Sequence, residues 1–139
     1  MENNNIICGI TPENILRLKA DEIFIYGSNL AGRHGAGAAR LAMEKFGAIY
    51  GIGEGLQGNS YALPTKDKFI STLPLSEIEK HIDTLYDCIL KHPHKHFLIT
   101  KIGCGLANLN IFQVAPMFKK FISLSNCSLP KEFIEINSK

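Results

Sequence analysis

Two apolar runs, Ile23-Phe-Ile-Tyr26 and Phe97-Leu-Ile-Thr-Lys-Ile102, are short and nearly continuous, the pattern of strands covered on both faces of a parallel sheet. Between them the spacing turns helical. Ile78, Ile82, Leu85 and Ile89 form one stripe after Leu73-Pro-Leu75, which predicts a long amphipathic helix ended by His92-Pro93. Ala38, Leu41, Ala42 and Phe46 make a shorter stripe, with Gly47 as its stop. Ser60-Tyr-Ala-Leu63 predicts a strand closed by Pro64. Asn110-x-x-Gln113 reads as a capping box ahead of a helix bearing Ile111, Val114, Ala115, Phe118 and Ile122, kinked or delayed by Pro116. Near the ends, Thr11-Pro12 predicts a helix start running to near Ala20, and Phe133-Ile-Glu-Ile136 supplies a last strand. Strands alternating with helices predict one α/β domain, a three-layer α/β/α sandwich with a mixed, largely parallel sheet and residues 22–26 at its centre.

Nine of the twelve glycines fall between Gly27 and Gly58, mostly in the runs Gly27-Ser-Asn-Leu-Ala-Gly-Arg-His-Gly-Ala-Gly37 and Gly51-Ile-Gly-Glu-Gly-Leu-Gln-Gly58. A glycine loses more backbone entropy on folding than any other residue, so such density needs a reason. The first run leaves a strand and enters an alanine-rich helix, an arrangement that aims backbone N–H groups at an anion. A second junction of the same design, Gly103-Cys-Gly-Leu-Ala107, follows the 97–102 strand. Ligands of α/β sheets bind beyond the carboxyl ends of the strands, so both loops are expected to line one nucleotide or phosphate crevice.

Composition narrows the class. With 139 residues and 45% hydrophobic content the chain suits a single core. The net charge is +2 and the lysines are scattered, which gives little push towards nucleic acid. Cys8, Cys88, Cys104 and Cys127 are widely spaced, with no C-x-x-C pair, so reduced thiols are expected rather than a disulfide or metal framework. His92, His94 and His96 flank Pro93 with no second ligand group nearby and read as a connector. No stretch approaches the roughly 20 apolar residues that cross a bilayer, and the polar opening Met-Glu-Asn-Asn-Asn lacks the regions of a signal peptide. A cytoplasmic protein is expected, with no metal, no cofactor and no membrane partner.

Two phosphate machineries are excluded by their missing parts. Gly27-x-x-x-x-Gly32-Arg33-His34 nearly matches a P-loop, but Arg33 replaces the lysine and His34 the hydroxyl that binds magnesium. The dinucleotide pattern G-x-G-x-x-G fails because Gly35-Ala-Gly37 is followed by Ala38-Ala39-Arg40.

The two loops, Gly27-Ser-Asn-Leu-Ala-Gly-Arg-His-Gly-Ala-Gly-Ala-Ala39 and Ile102-Gly-Cys-Gly-Leu106, resemble the ligand loops of macro domains, which bind ADP-ribose. The resemblance covers roughly residues 22 to 121 and is closest to compact, stand-alone macro-like proteins of bacteria and their phages, which share the Gly-Ser-Asn opening and the Gly-Glu-Gly-x-Gln-Gly and Pro-Thr-Lys segments. It implies a macro-like fold in which Ser28, Asn29, Gly32, Gly35 and Gly37 approach ribose and phosphate. It also implies that Gly103, Cys104, Gly105 and Leu106 close over the diphosphate, and it offers Asp21 for the adenine amino group. The sequence departs from the family in two places: the usual Asn-Ala-Ala-Asn opening is reduced to Gly-Ser-Asn, and a long 51–66 segment follows.

Each candidate also has a plain structural reading. Asn29 can stabilise a turn through its side chain. Arg33 can be a solvated loop residue or a bidentate phosphate ligand. His34 can act as an acid or base or simply brace a turn. Cys104 can be a nucleophile or a small side chain in a tight loop. Glu54, Gln57, Lys66 and Asp67 can together recognise a ribose or base, or form one exposed loop. Three functions follow: a module that binds ADP-ribose or a related adenine nucleotide; an ADP-ribosyl hydrolase using His34, Glu54 or Asp67; and a phage-type protein that sequesters a cyclic ADP-ribose-like signal, a role compatible with homo-oligomers.

Overall fold

In the computed structural model, which describes residues 6–102 and 109–138, the apolar run after Asp21 extends into the strand Glu22–Asn29. The elements in chain order are β1 (Gly9–Ile10), β2 (Glu22–Asn29), α1 (Gly37–Lys45), β3 (Gly55–Gln57), β4 (Ser60–Lys66) and α2 (Leu75–Lys91). There follow β5 (His96–Ile99), α3 (Ile111–Val114), a 3-10 helix (Ala115–Ser123), β6 (Cys127–Leu129) and α4 (Lys131–Asn137). The strands form one sheet in the order β1-β6-β5-β2-β4-β3. Neighbours are parallel except for the edge pair β3 and β4, so the mixed, largely parallel α/β sheet is as expected, and β2 lies inside it.

Alternation along β2 builds two cores. Ile23 and Ile25 face one side with Tyr61, Leu63, Phe97 and Ile99, under α2, the 3-10 helix and α4. Phe24 and Tyr26 face the other with Ala62 and Leu98, under α1. The predicted stripe Ile78, Ile82, Leu85 and Ile89 is the buried face of α2, each such side chain stabilising the fold by about 1.5–3 kcal/mol relative to exposure. No helix among the described residues is long and apolar enough to cross a membrane. The three described cysteines, Cys8, Cys88 and Cys127, are free. Burial raises all three thiols, that of Cys127 to about 12.

Four expectations are corrected. The 11–20 segment is not helical: Thr11 N–H donates to the Leu129 carbonyl at 2.8 Å, and Thr11 Oγ1 is buried without a partner among the described residues instead of capping. Only Ile15 and Leu18 of this segment reach a core, too little apolar surface to hold a short helix. Pro64 does not close its strand. It sits within β4 beside a register shift against β2 at Ser28 and Asn29, where a missing N–H is tolerated. The helix beginning at Asn110, whose Oδ1 accepts the Phe112 N–H at 2.8 Å, becomes 3-10 after one turn. Its buried residues Ala115, Phe118 and Phe121 repeat every three positions, the 3-10 period. Finally, 133–136 is helical. The Pro130 carbonyl accepts the N–H groups of Phe133 and Ile134 at 3.0 and 3.2 Å, and Cys127–Leu129 takes the strand position instead.

Candidate functional site

The chain leaves β2 through α1 on one face of the sheet and leaves β4 through α2 on the other. Loops at the carboxyl ends of neighbouring strands part where connections diverge in this way. There a cleft of about 440 Å³ opens, floored by Gly27, Ser28 and Asn29 of β2 and walled by Thr65 and Lys66 of β4 and by Thr100, Lys101 and Ile102 after β5. Thr100 Oγ1 donates to the Ile25 carbonyl at 2.8 Å, and Thr65 Oγ1 to that of Ser28 at 3.3 Å. Both hydroxyls thus brace the floor.

The remaining wall is the start of α1, where Ala36, Gly37, Ala38 and Ala39 line the cleft. Gly37 takes φ +61°, which turns the chain into the helix without the steric cost a side chain would bring. Ala36 at the N-cap has no side-chain acceptor, and no acidic residue occupies the first turn. The N–H groups of a helix's first turn have no intrahelical partner, and they sit at the positive end of the helix dipole. Arg33, Lys66 and Lys101 bring positive charge to the lining, which contains no carboxylate among the described residues. Lys101 Nζ lies 2.8 Å from Glu132 Oε2, and this hydrogen bond is the main reason the Glu132 carboxyl titrates below its ordinary range. The described lining of the cleft thus gathers backbone N–H donors and positively charged side chains.

The loop between β2 and α1 is shaped from within. Asn29 Nδ2 donates to the Arg33 carbonyl at 2.9 Å while Asn29 Oδ1 accepts the Arg33 N–H at 3.0 Å. Both ends of the amide are therefore spent on the turn, with Asn29 8% exposed. The second glycine run is packed behind it. Ser28 Oγ donates to the Gly53 carbonyl, Gly51 N–H donates to the Gly32 carbonyl at 2.8 Å, and the Gln57 amide holds Ile49 N–H at 2.7 Å and the carbonyls of Ile52 and Gly55 at 3.3 Å each. His34 is fully buried. Its Nε2 donates to the Ile49 carbonyl at 3.0 Å and lies 3.4 Å from the Tyr26 hydroxyl, leaving Nδ1 without a partner among the described residues. Burial pushes the Tyr26 phenol up to about 12.

Neither a family model nor a curated protein matches the sequence.

Of the expected ligand residues, Ser28, Asn29, Arg33, Gly35, Gly37 and Lys66 meet at the cleft. Gly32 and Gln57 do not line it; Gly32 packs against the second glycine run at Gly51 and Ile52, and Gln57 braces that second run from within. Asp21 precedes the amino end of β2, at the opposite end of the strand from the cleft, roughly 23 Å from Ser28 along an extended strand. The acid–base candidates are likewise elsewhere. Glu54 Oε2 is 2.6 Å from His81 Nδ1 on α2, Asp67 Oδ1 accepts the N–H groups of Phe69 and Ser71, and His34 lies beneath the loop. Gly103, Cys104, Gly105 and Leu106 lie outside the described residues. Sequence reasoning missed Thr65, Ile70, Thr100 and Lys101. Thr100 and Lys101 follow the apolar run of β5 and carried a signal only as a strand-end position.

Proposed function

We propose that the protein binds ADP-ribose or a related adenine nucleotide, with the diphosphate at the amino end of α1. The observation that carries this reading is the uncapped first turn of α1 facing Arg33, Lys66 and Lys101 in a cleft without carboxylates among the described residues. Backbone N–H groups and guanidinium or ammonium groups are the donors that phosphate oxygens require. The macro-domain resemblance of the 27–39 loop points to the nucleotide part, and the α/β sheet with a strand-end crevice agrees with it.

Binding is favoured over turnover. His34, Glu54 and Asp67 each have their side chains committed outside the cleft lining, whereas hydrolysis needs an acid or base within hydrogen-bond reach of the bond to be broken. The reading extends to a cytoplasmic, macro-like module that requires no metal.

Isothermal titration with ADP-ribose in metal-free buffer tests it, with cyclic ADP-ribose as a second ligand. One saturable site, weakened by Arg33→Gln, is the expected result. Absence of heat with both ligands overturns the reading, and release of free ADP-ribose from a modified protein at catalytic protein concentration replaces the binding module with a hydrolase.

A further inference from the structure

Ile70 lines the cleft at φ +66°, the single non-glycine residue at positive φ among the described residues. A β-branched side chain is a poor occupant of the left-handed region, where glycine and asparagine are at home. The surrounding loop enforces the conformation. Asp67 Oδ1 accepts the N–H groups of Phe69 at 2.8 Å and Ser71 at 3.0 Å, Asp67 N–H donates to the Ser71 carbonyl at 2.8 Å, and Ile70 N–H donates to the Asp67 carbonyl at 3.1 Å. The base of this loop is fixed to the cleft floor, since Leu30 N–H donates to the Lys66 carbonyl at 2.9 Å and Lys66 bridges Thr72.

Core packing does not explain the side chain. Ile70 belongs to neither hydrophobic core and is 41% exposed, while its neighbour Phe69 is 87% exposed. Its surroundings in the cleft are otherwise cations, hydroxyls, Asn29, the small residues at the start of α1 and Ile102, which is 1% exposed and packed into the core. The polar groups serve phosphate and leave the apolar portion of a nucleotide uncovered. Strain held at a cleft wall with no return in packing points to a role for the side chain in the cleft itself.

We propose that Ile70 is a specificity-determining residue that packs on the nucleoside part of the ligand, its base or ribose, so that the cleft takes a nucleotide in preference to bare pyrophosphate. This rests on the nucleotide reading above. The phosphate side of the site supplies attraction to any anion of the right size, and Ile70 supplies the discrimination.

The test titrates wild type, Ile70→Gly and Ile70→Val with ADP-ribose and with pyrophosphate, and follows thermal unfolding of all three proteins. Wild type should prefer ADP-ribose. Ile70→Gly should melt at an unchanged or higher temperature, bind ADP-ribose about tenfold more weakly, as expected for losing contact over roughly 50–60 Å² of apolar surface, and bind pyrophosphate as wild type does. Ile70→Val, which keeps a branched apolar side chain, should retain most of the affinity. Equal affinity of wild type and Ile70→Gly for ADP-ribose overturns this inference while the nucleotide reading stands, and failure of wild type to bind ADP-ribose overturns both. A lowered melting temperature of Ile70→Gly, or a parallel loss for pyrophosphate, assigns the side chain to folding and also overturns it.

Discussion

Gly32 and Gly51 meet backbone to backbone: Gly51 N–H donates to the Gly32 carbonyl at 2.8 Å, and a Cβ on Gly32 would collide with the Gly51 carbonyl carbon and the Ile52 nitrogen. Gly32 also takes φ +70°. Gly32→Ala therefore combines a left-handed penalty with a clash against backbone that has no rotamer to escape into, and should cost at least about 2 kcal/mol in urea unfolding. Gly35 is the control. A Cβ there meets nothing within 4 Å, so Gly35→Ala should keep wild-type stability within about 1 kcal/mol. Because Gly35 lines the cleft, the same methyl should still weaken ADP-ribose binding.

Asn29 acts on the cleft through Arg33. Asn29→Ala removes two hydrogen bonds to the Arg33 backbone and should lower stability by about 1–2 kcal/mol while loosening the loop that carries Arg33. Asn29→Asp keeps the acceptor for the Arg33 N–H but sets a carboxylate against the Arg33 carbonyl, and adds negative charge to a cation-lined cleft. It should bind ADP-ribose more weakly than Asn29→Ala does. Titration of both variants at matched temperature checks the order.

How far this was legible in the sequence depended on the kind of signal. The apolar runs of β2 and β5 and the four-residue stripe of α2 are periodic over enough residues to identify themselves. The 133–136 run was ambiguous because four apolar-patterned residues fit either a strand or one helical turn, and Pro130 decided for the helix. β1, β3 and β6 have two or three residues each, too few for a periodic pattern; β1 and β6 are held by ladder pairing with distant chain and β3 by a short hairpin with β4. Glycine density marked the 27–37 loop, several of whose residues line the cleft. It could not separate glycines that face the cleft, such as Gly35, from those that let two loops touch, such as Gly32, because that difference lies in the second loop's position. Ile70 carried no sequence signal, since its meaning is its backbone conformation.

Tyr26 makes the fold sensitive to alkali. Its phenol is fully buried, and desolvation raises it from 10.0 to about 12. A group with a raised folded value stabilises the protein fully below its unfolded value, and that contribution is lost as pH climbs from about 10 towards 12. Tyr61 and Cys127 are raised by burial in the same sense. Denaturant midpoints measured at pH 7 and pH 11 should fall for wild type and fall less for Tyr26→Phe, which has no phenolic proton to lose.

Lys101 is shared between the cleft and Glu132, and the two uses compete. Its ammonium lies 2.8 Å from Glu132 Oε2 at a position that also lines the cleft. A diphosphate entering the cleft draws on the same charge, so Glu132→Gln should free Lys101 for the ligand and strengthen ADP-ribose binding severalfold, whereas Lys101→Gln should weaken it. The double variant should behave as Lys101→Gln alone, because Glu132 acts on the ligand through Lys101. Both wild type and Glu132→Gln should lose affinity as salt rises, exposed charges being screened within about 10 Å at 0.1 M, and Lys101→Gln should show a shallower salt dependence. The pair also carries a pH signature. The Glu132 carboxyl is held below its ordinary 4.5 chiefly by the Lys101 hydrogen bond, so its contribution to stability is present above that pH and disappears on acidification through the lowered value. Acid unfolding of Glu132→Gln should begin from a baseline that lacks this step, and an unchanged acid profile would remove the ion pair from the account.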